Sequence, residues 1–208
     1  KSDNGIRERV MYLKYVKRIL DILISVIALP FLGIIFIIFA PLIFFNDRGP
    51  VFYLGKRLGK NGEIFSMYKF RSMKVNSPNL KNDDGSTYNS ENDSRVTSIG
   101  KFLRKTSLHE TPQIINVLKG DMSIIGPRAF LPTRFKGMEY LSEEEKKRLT
   151  VLPGITGYCQ AYFRNSISHD EKVKWDAYYV DHVSFLLDIK IFIKTISSVK
   201  TQKNIFTN

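Results

Sequence analysis

His109 and Glu110 stand side by side in the stretch Lys105 to Arg128, KTSLHETPQIINVLKGDMSIIGPR. Arg104, Lys105 and Arg128 lie close by in sequence. A titratable pair among several cations points to phosphate chemistry. The stretch itself reads as a short loop, a helix and a tight return. Thr111 is suited to cap a helix by accepting a backbone N–H bond, and Pro112 fits the first helical position. Ile114, Ile115 and Leu118 give an apolar face with helical spacing. Lys119 falls in the last turn, and Gly120 suits the left-handed residue that ends a helix. His109 and Glu110 would then precede a helix N-terminus, where backbone N–H groups and the helix dipole favour an anion. The local pattern alone also fits an ordinary capped surface helix.

The elements that must position this pair begin at a membrane. Lys1 to Arg18 is a basic arm, and the net charge of the 208 residues is +12. That charge calls for an acidic partner: phospholipid, nucleic acid or a phosphorylated substrate. The single cysteine, Cys159, excludes an intramolecular disulfide and fits a reducing compartment or a domain that needs no disulfide. The chain starts at Lys1, so residues upstream are left open. Ile22 to Phe45 is an uncharged run of 24 residues. As a helix it would reach about 36 Å, against about 30 Å for a bilayer core. It is too long for a signal peptide, and no small-residue cleavage site follows. Pro30, Gly33 and Pro41 interrupt it, and positive charge flanks both ends. Two topologies compete: a kinked transmembrane helix, and a re-entrant hairpin broken at Pro30 that enters and leaves by the cytoplasmic face. Asp21 and Ser25 are placed to pair with Arg18 or with freed backbone groups.

Beyond the Gly49-Pro50 turn, Val51 to Tyr53 and Ile64 to Tyr68 read as a small β-hairpin turning at Asn61-Gly62. Lys69 and Arg71 share one strand face, either as a solvated basic edge or as a phosphate clamp. Val75 to Arg95 is polar and turn-rich, expected as a mobile loop, with a lid and a passive insertion both open. Thr97 to Leu103 suggests a short amphipathic helix weakened by Gly100. Ser142 with Glu145 and Ser168 with Glu171 are capping-box signatures. They start helices running to Leu149 and to about Val180. Pro153-Gly154 ends the first, and a mixed aromatic stretch, Ile155 to Phe163, lies between them. Phe185 to Val199 is amphipathic, with Phe185, Leu186, Ile189, Phe192, Ile193 and Ile196 on one face and Lys190 and Lys194 on the other. Beside a membrane segment, this face is expected in the lipid interface rather than in a core. His169 and His182 lack ligand spacing with His109, so no zinc site is expected. There are no internal repeats.

The motifs, in order, are Lys17-Arg18 with Asp21, the proline-interrupted run, Tyr68-Lys69-Phe70-Arg71-Ser72-Met73, Arg95 to Arg104 and Thr106 to Arg128. They continue with Pro153-Gly154-Ile155-Thr156-Gly157 through Gln160, Arg164-Asn165, Asp176 to Val180 and Phe185 to Asp188. Together they resemble the bacterial sugar transferase family of monotopic phosphoglycosyl transferases, over nearly the whole chain. The fold expected is α+β and mostly helical, with a small hairpin, a re-entrant membrane helix (1–48) and a cytoplasmic catalytic domain with interfacial helices (49–208). The resemblance implies transfer of a phosphosugar from a UDP-sugar to undecaprenyl phosphate, releasing UMP, with Mg²⁺ required. It implies residence on the cytoplasmic face of a bacterial inner membrane with anionic lipid, no nucleic-acid partner, and an oligomeric state left open, homo-oligomer included. An acidic Asp-Glu pair carries the reaction through a covalent phosphosugar intermediate, the glutamate helping to place the metal. Glu110 matches that glutamate. His109 stands where the aspartate is expected. It is then a working nucleophile, a substitution that disables or traps the enzyme, or a mark of a natural member with altered or lost activity; it could also simply cap the helix. Lys69, Arg104, Arg128, Arg164 and Asp176 are the other site residues carried over, with structural ion pairs the competing reading for Arg104 and Asp176. Lys119 with Asp121, and Gly126-Pro127, read as structural. Two other functions use the same features: a non-catalytic membrane scaffold of the family, and a basic nucleic-acid-binding membrane protein, for which no groove or aromatic platform motif is visible.

Overall fold

The computed structural model describes residues 3–78, 80, 88, 90, 92–132 and 135–201. Helix α1 (Asp3–Met11) passes through a π-helical turn (Tyr12–Val16) into α2 (Lys17–Asp47). The apolar run is thus helical throughout, and Pro30 and Pro41 lie inside α2. The sequence suggested a break at Pro30. In the structure Pro30 lies within the helix, and Arg48, in the left-handed conformation, terminates it. Much of the apolar surface of α2 faces outward; Ile37 is 74% exposed and Phe45 76%.

Both halves of α2 are held to the same body. In the first half, Arg18 donates to the Val117 and Leu118 carbonyls, and the Ile124 amide donates to Asp21. Asp21 thus binds a backbone amide from another element rather than pairing with Arg18. Lys17, Tyr12 and Tyr179 all donate to Asp188. In the second half, Leu32 and Ile43 join Phe70 and Leu103 in one apolar cluster, and Phe39 stacks on Phe102. Asp47 pairs with Arg71. Arg71 therefore fastens the end of α2, and the clamp read from Lys69 and Arg71 reduces to Lys69.

The hairpin is β1 (Phe52–Leu58) with β2 (Ile64–Phe70), in register from Phe52↔Phe70 to Leu58↔Ile64. Its turn uses Asn61 and Gly62 at positive φ, as the Asn-Gly signal indicates. β1 extends well past the Tyr53 limit read from the sequence. Helix α3 (Ser98–Lys105) is capped by Thr97, whose side chain accepts the Gly100 amide. Gly100 has a packing role there: a Cβ would lie 2.0 Å from the Ser72 carbonyl oxygen, so its absence admits the hairpin's exit. Much of the polar stretch expected to be mobile lies outside the described residues. Its described end is fastened by Arg95, which pairs with Asp93 and donates to the Pro78 and Tyr88 carbonyls.

Helix α4 (Gln113–Lys119) follows a one-turn 3₁₀ helix, Leu108–Glu110. A second sheet, unread in the sequence, pairs β3 (Ser123–Ile125) in parallel with β4 (Gly154–Thr156). Its strands abut where Gly126, Gly154 and Gly157 meet; a Cβ on Gly154 would stand 2.1 Å from the Gly126 nitrogen. Helices α5 (Glu143–Arg148) and α7 (His169–His182) carry the two capping boxes, with α6 (Tyr158–Tyr162) between them. Helix α8 (Phe185–Thr201) buries Asp188 and Ile191 and leaves Phe185, Leu186, Ile189, Phe192, Ile193 and Ile196 exposed. The apolar face read from the sequence is thus the outward one, as an interfacial helix requires.

Candidate active site

Three backbone features place the pair at residues 109 and 110. Ser107 adopts a left-handed conformation (φ 60°) that turns the chain out of α3. The 3₁₀ turn then presents His109 and Glu110 before α4. Asn116 ties α4 to β2: its Oδ1 accepts the Tyr68 amide at 2.9 Å and its Nδ2 donates to the Ser66 carbonyl at 2.8 Å. Lys69, the next residue of β2, thereby meets Glu110, with Nζ to Oε1 at 2.5 Å.

Thr111 does not cap α4. Its hydroxyl donates back to the Leu108 carbonyl, and Pro112 occupies the N-cap without a side-chain bond. The amides of Glu110, Thr111, Ile114 and Ile115 are spent on the carbonyls of Ser107, Leu108, Thr111 and Pro112. The anion site expected from free helix amides is therefore replaced by one made of cationic side chains. The α4 face also differs: Gln113, Asn116 and Val117 are buried, while Ile114, Ile115 and Leu118 are half-buried.

His109 caps the C-terminal turn of α3 rather than the N-terminus of α4. Its Nδ1 lies 3.1 Å from the Leu103 carbonyl oxygen, in the last turn of α3. A carbonyl only accepts, so Nδ1 carries the proton. In neutral imidazole that leaves the lone pair on Nε2, which lies 3.7 Å from Glu110 Oε1. Burial, reinforced by Lys69 and Arg104 against the pull of Glu110, lowers the His109 pKa from 6.5 to about 4. The imidazole is neutral at pH 7, with its nucleophilic nitrogen turned into the site. Burial alone would raise Glu110, but Lys69, His109 and Arg128 hold it well below the usual carboxylate range. Glu110 is therefore ionised, and among the described residues its Oε2 accepts no hydrogen bond.

Of the other residues carried over from the sequence, Arg128 acts on Glu110 and Glu110 acts on Arg104 and Arg164. Arg104 is steadied by Ser72, its Nε donating to Oγ at 2.9 Å. Arg164 sits at positive φ (53°) just past α6. Asp176 is elsewhere: it forms a buried pair with Arg148. Arg57 on β1 also feels Arg128 and Glu110, and the sequence reading passed over it. The available signal was the period-two spacing from Tyr53, had the strand been carried on.

An ionised carboxylate and a neutral imidazole thus lie among several cations, in a body with two outward apolar helices suited to membrane association. The chain belongs to the bacterial sugar transferase family, whose model matches residues 12–202. It is 44% identical over 191 residues to a galactosyl transferase, CpsE, of Streptococcus agalactiae serotype III, covering 88% of this chain and 42% of that protein. It is 37% identical over 194 residues to the exopolysaccharide production protein ExoY of Sinorhizobium fredii, covering 88% and 84%. It is 37% identical over 199 residues to the undecaprenyl-phosphate galactose phosphotransferase of Salmonella typhimurium, covering 88% and 40%. The chain thus spans about two fifths of the length of two of these relatives and most of the third.

Proposed function

We propose that the chain transfers a sugar phosphate from a UDP-sugar to undecaprenyl phosphate, releasing UMP, with His109 as the covalent relay. The observation that carries this reading is the Nδ1 hydrogen bond to the Leu103 carbonyl, which leaves Nε2 with its lone pair in the site. Nε2 attacks the sugar-bearing phosphorus. An N–P bond forms as the bond to the bridging oxygen breaks, and that electron pair leaves on UMP. The phosphate oxygen of undecaprenyl phosphate then attacks the same phosphorus and the N–P bond breaks. Phosphoryl transfer depends mainly on positioning and charge neutralisation, and Lys69, Arg104, Arg128 and Arg164 supply both.

Among the described residues no three His, Cys, Asp or Glu side chains group to cage a metal. One ionised carboxylate still fits Mg²⁺, which keeps most of its shell as water and substrate phosphate. Glu110 would hold the ion through Oε2. Bound there, it would supply charge neutralisation on the diphosphate. The assay is direct: UDP-galactose or UDP-glucose should add a hexose-phosphate mass to the protein, and undecaprenyl phosphate should discharge it. Neither adduct nor UMP release with any UDP-sugar would sink the reading.

We also propose that α2 is re-entrant at the cytoplasmic face of the inner membrane. A straight span would carry one end about 30 Å from the other across the bilayer, yet both halves bind the same body. Its second support is the outward apolar face of α8. Cysteines introduced as Gly5→Cys and Asn46→Cys should both react with an impermeant maleimide from the cytoplasmic side. Cys159 is buried and should give little background. Labelling of the two sites from opposite sides would establish a span instead.

A further inference from the structure

Arg57 stands on the face of β1 that carries Tyr53 and Gly55. Across the ladder Tyr53 pairs with Lys69, Gly55 with Met67 and Arg57 with Phe65. Gly55 has no side chain, and its neighbours lean over it: a Cβ there would lie 2.9 Å from Tyr53 Cε1 and 3.2 Å from Arg57 Nη1. Arg57 Nη1 donates to the Lys56 carbonyl at 2.8 Å, which holds the guanidinium back along the strand toward the Tyr53–Lys69 row. Among the described residues no carboxylate forms an ion pair with Arg57. Its charged surroundings are Arg128 and Glu110. Lys69, Arg57 and Arg128 thus gather around the single carboxylate of Glu110. With Arg104 and Arg164 also under the influence of Glu110, the cations around this carboxylate outnumber it, an excess that a sugar nucleotide's diphosphate would offset.

Position along the strand decides which phosphate Arg57 serves. Phe52, at the start of β1, stacks on Phe36 of the membrane helix with centroids 5.6 Å apart. Arg57 is five residues further on, roughly 16 Å along the strand. It lies toward the hairpin turn, where the Asn61 amide bonds the Leu149 carbonyl just past α5. On the re-entrant topology proposed above, a lipid-tethered phosphate at headgroup level would approach from the Phe52 end and a water-borne nucleotide from the Arg57 end.

We infer that Arg57 is a phosphate-binding residue for the nucleotide half of the donor, seating its uridine-side phosphate and balancing the negative charge left there as UMP departs. The inference rests on the donor and reaction proposed above. Guanidinium suits this task because it can offer two parallel N–H donors to one phosphate.

The test uses the full chain in nanodiscs containing undecaprenyl phosphate. Arg57→Ala should raise the KM for the UDP-sugar by about tenfold or more, the scale of a charge-assisted hydrogen bond. It should weaken inhibition by UMP in parallel and leave the KM for undecaprenyl phosphate unchanged. Arg57→Lys should recover part of the loss. Direct UMP binding, followed by ligand-observed NMR in the turnover-deficient His109→Ala chain, should weaken when Arg57→Ala is added. An unchanged donor KM, or a rise confined to the acceptor, in a chain that otherwise turns over would overturn this assignment alone. If neither the native chain nor His109→Asp binds or turns over a UDP-sugar, the reaction reading falls and takes the inference with it.

Discussion

His109→Ala is expected to lower UMP release by at least about a thousandfold, because it removes the atom that takes the phosphoryl group rather than one that merely steadies it. The native chain should carry a hexose-phosphate adduct that is labile in acid, as a phosphohistidine is. His109→Asp should release UMP through an acyl phosphate, which is more stable in acid. The pH profile gives a second, independent signature. Attack requires neutral imidazole, and the folded pKa of about 4 keeps it neutral well below the 6.5 of a free histidine. The adduct-forming rate should therefore hold level as pH falls through 6.5 and decline only as it nears 4. Stability moves differently. Between about 6.5 and 4 the unfolded chain binds a proton at this residue that the folded chain refuses, so folding stability decreases as pH is lowered across that window. A native chain silent at every pH, beside an active His109→Asp, would show that the imidazole is a disabled substitute and not a nucleophile.

What the sequence could show about this site followed from contact range. Local signals were readable: both capping boxes, the Asn-Gly turn, Gly120 ending α4 and the outward face of α8 stand where the residues indicate. Helix α2 was legible from length and apolarity alone. The errors share a cause in long-range packing. Ile114, Ile115 and Leu118 looked like the inward face of α4, but Asn116 is the fully buried residue because β2 offers it partners. Thr111 looked like a cap until the preceding 3₁₀ turn took its hydroxyl. The β3–β4 pair depends on Gly126 meeting Gly154 across a long chain separation, which no window of sequence contains. Arg57 was lost because Gly55 and Lys56 interrupt the apolar alternation that marks a strand.

Asp176→Ala should destabilise the fold by about 3–5 kcal/mol, a large share of the roughly 5–15 kcal/mol that holds a typical domain together. The sequence left Asp176 open between a phosphate-binding residue and a structural ion pair. In the structure its carboxylate meets Arg148 Nη2 at 2.5 Å, with both side chains 1% exposed. The same nitrogen donates to the Arg128 carbonyl at 2.6 Å, and the guanidinium lies over the Phe130 ring. Alanine at 176 would strand that charge in an apolar interior, where water cannot reach it. Removing both charges is a different experiment. The double change Arg148→Met with Asp176→Leu exchanges a buried pair for packed apolar groups, and should recover much of the loss. The residual cost would come from the Arg128 carbonyl, left without its donor. Denaturant unfolding of the three chains in one detergent reads these differences, and the donor KM of the folded fraction reads the role. A scaffold residue shifts the midpoint and leaves that KM near native. An unshifted midpoint with a raised donor KM would instead return Asp176 to the substrate.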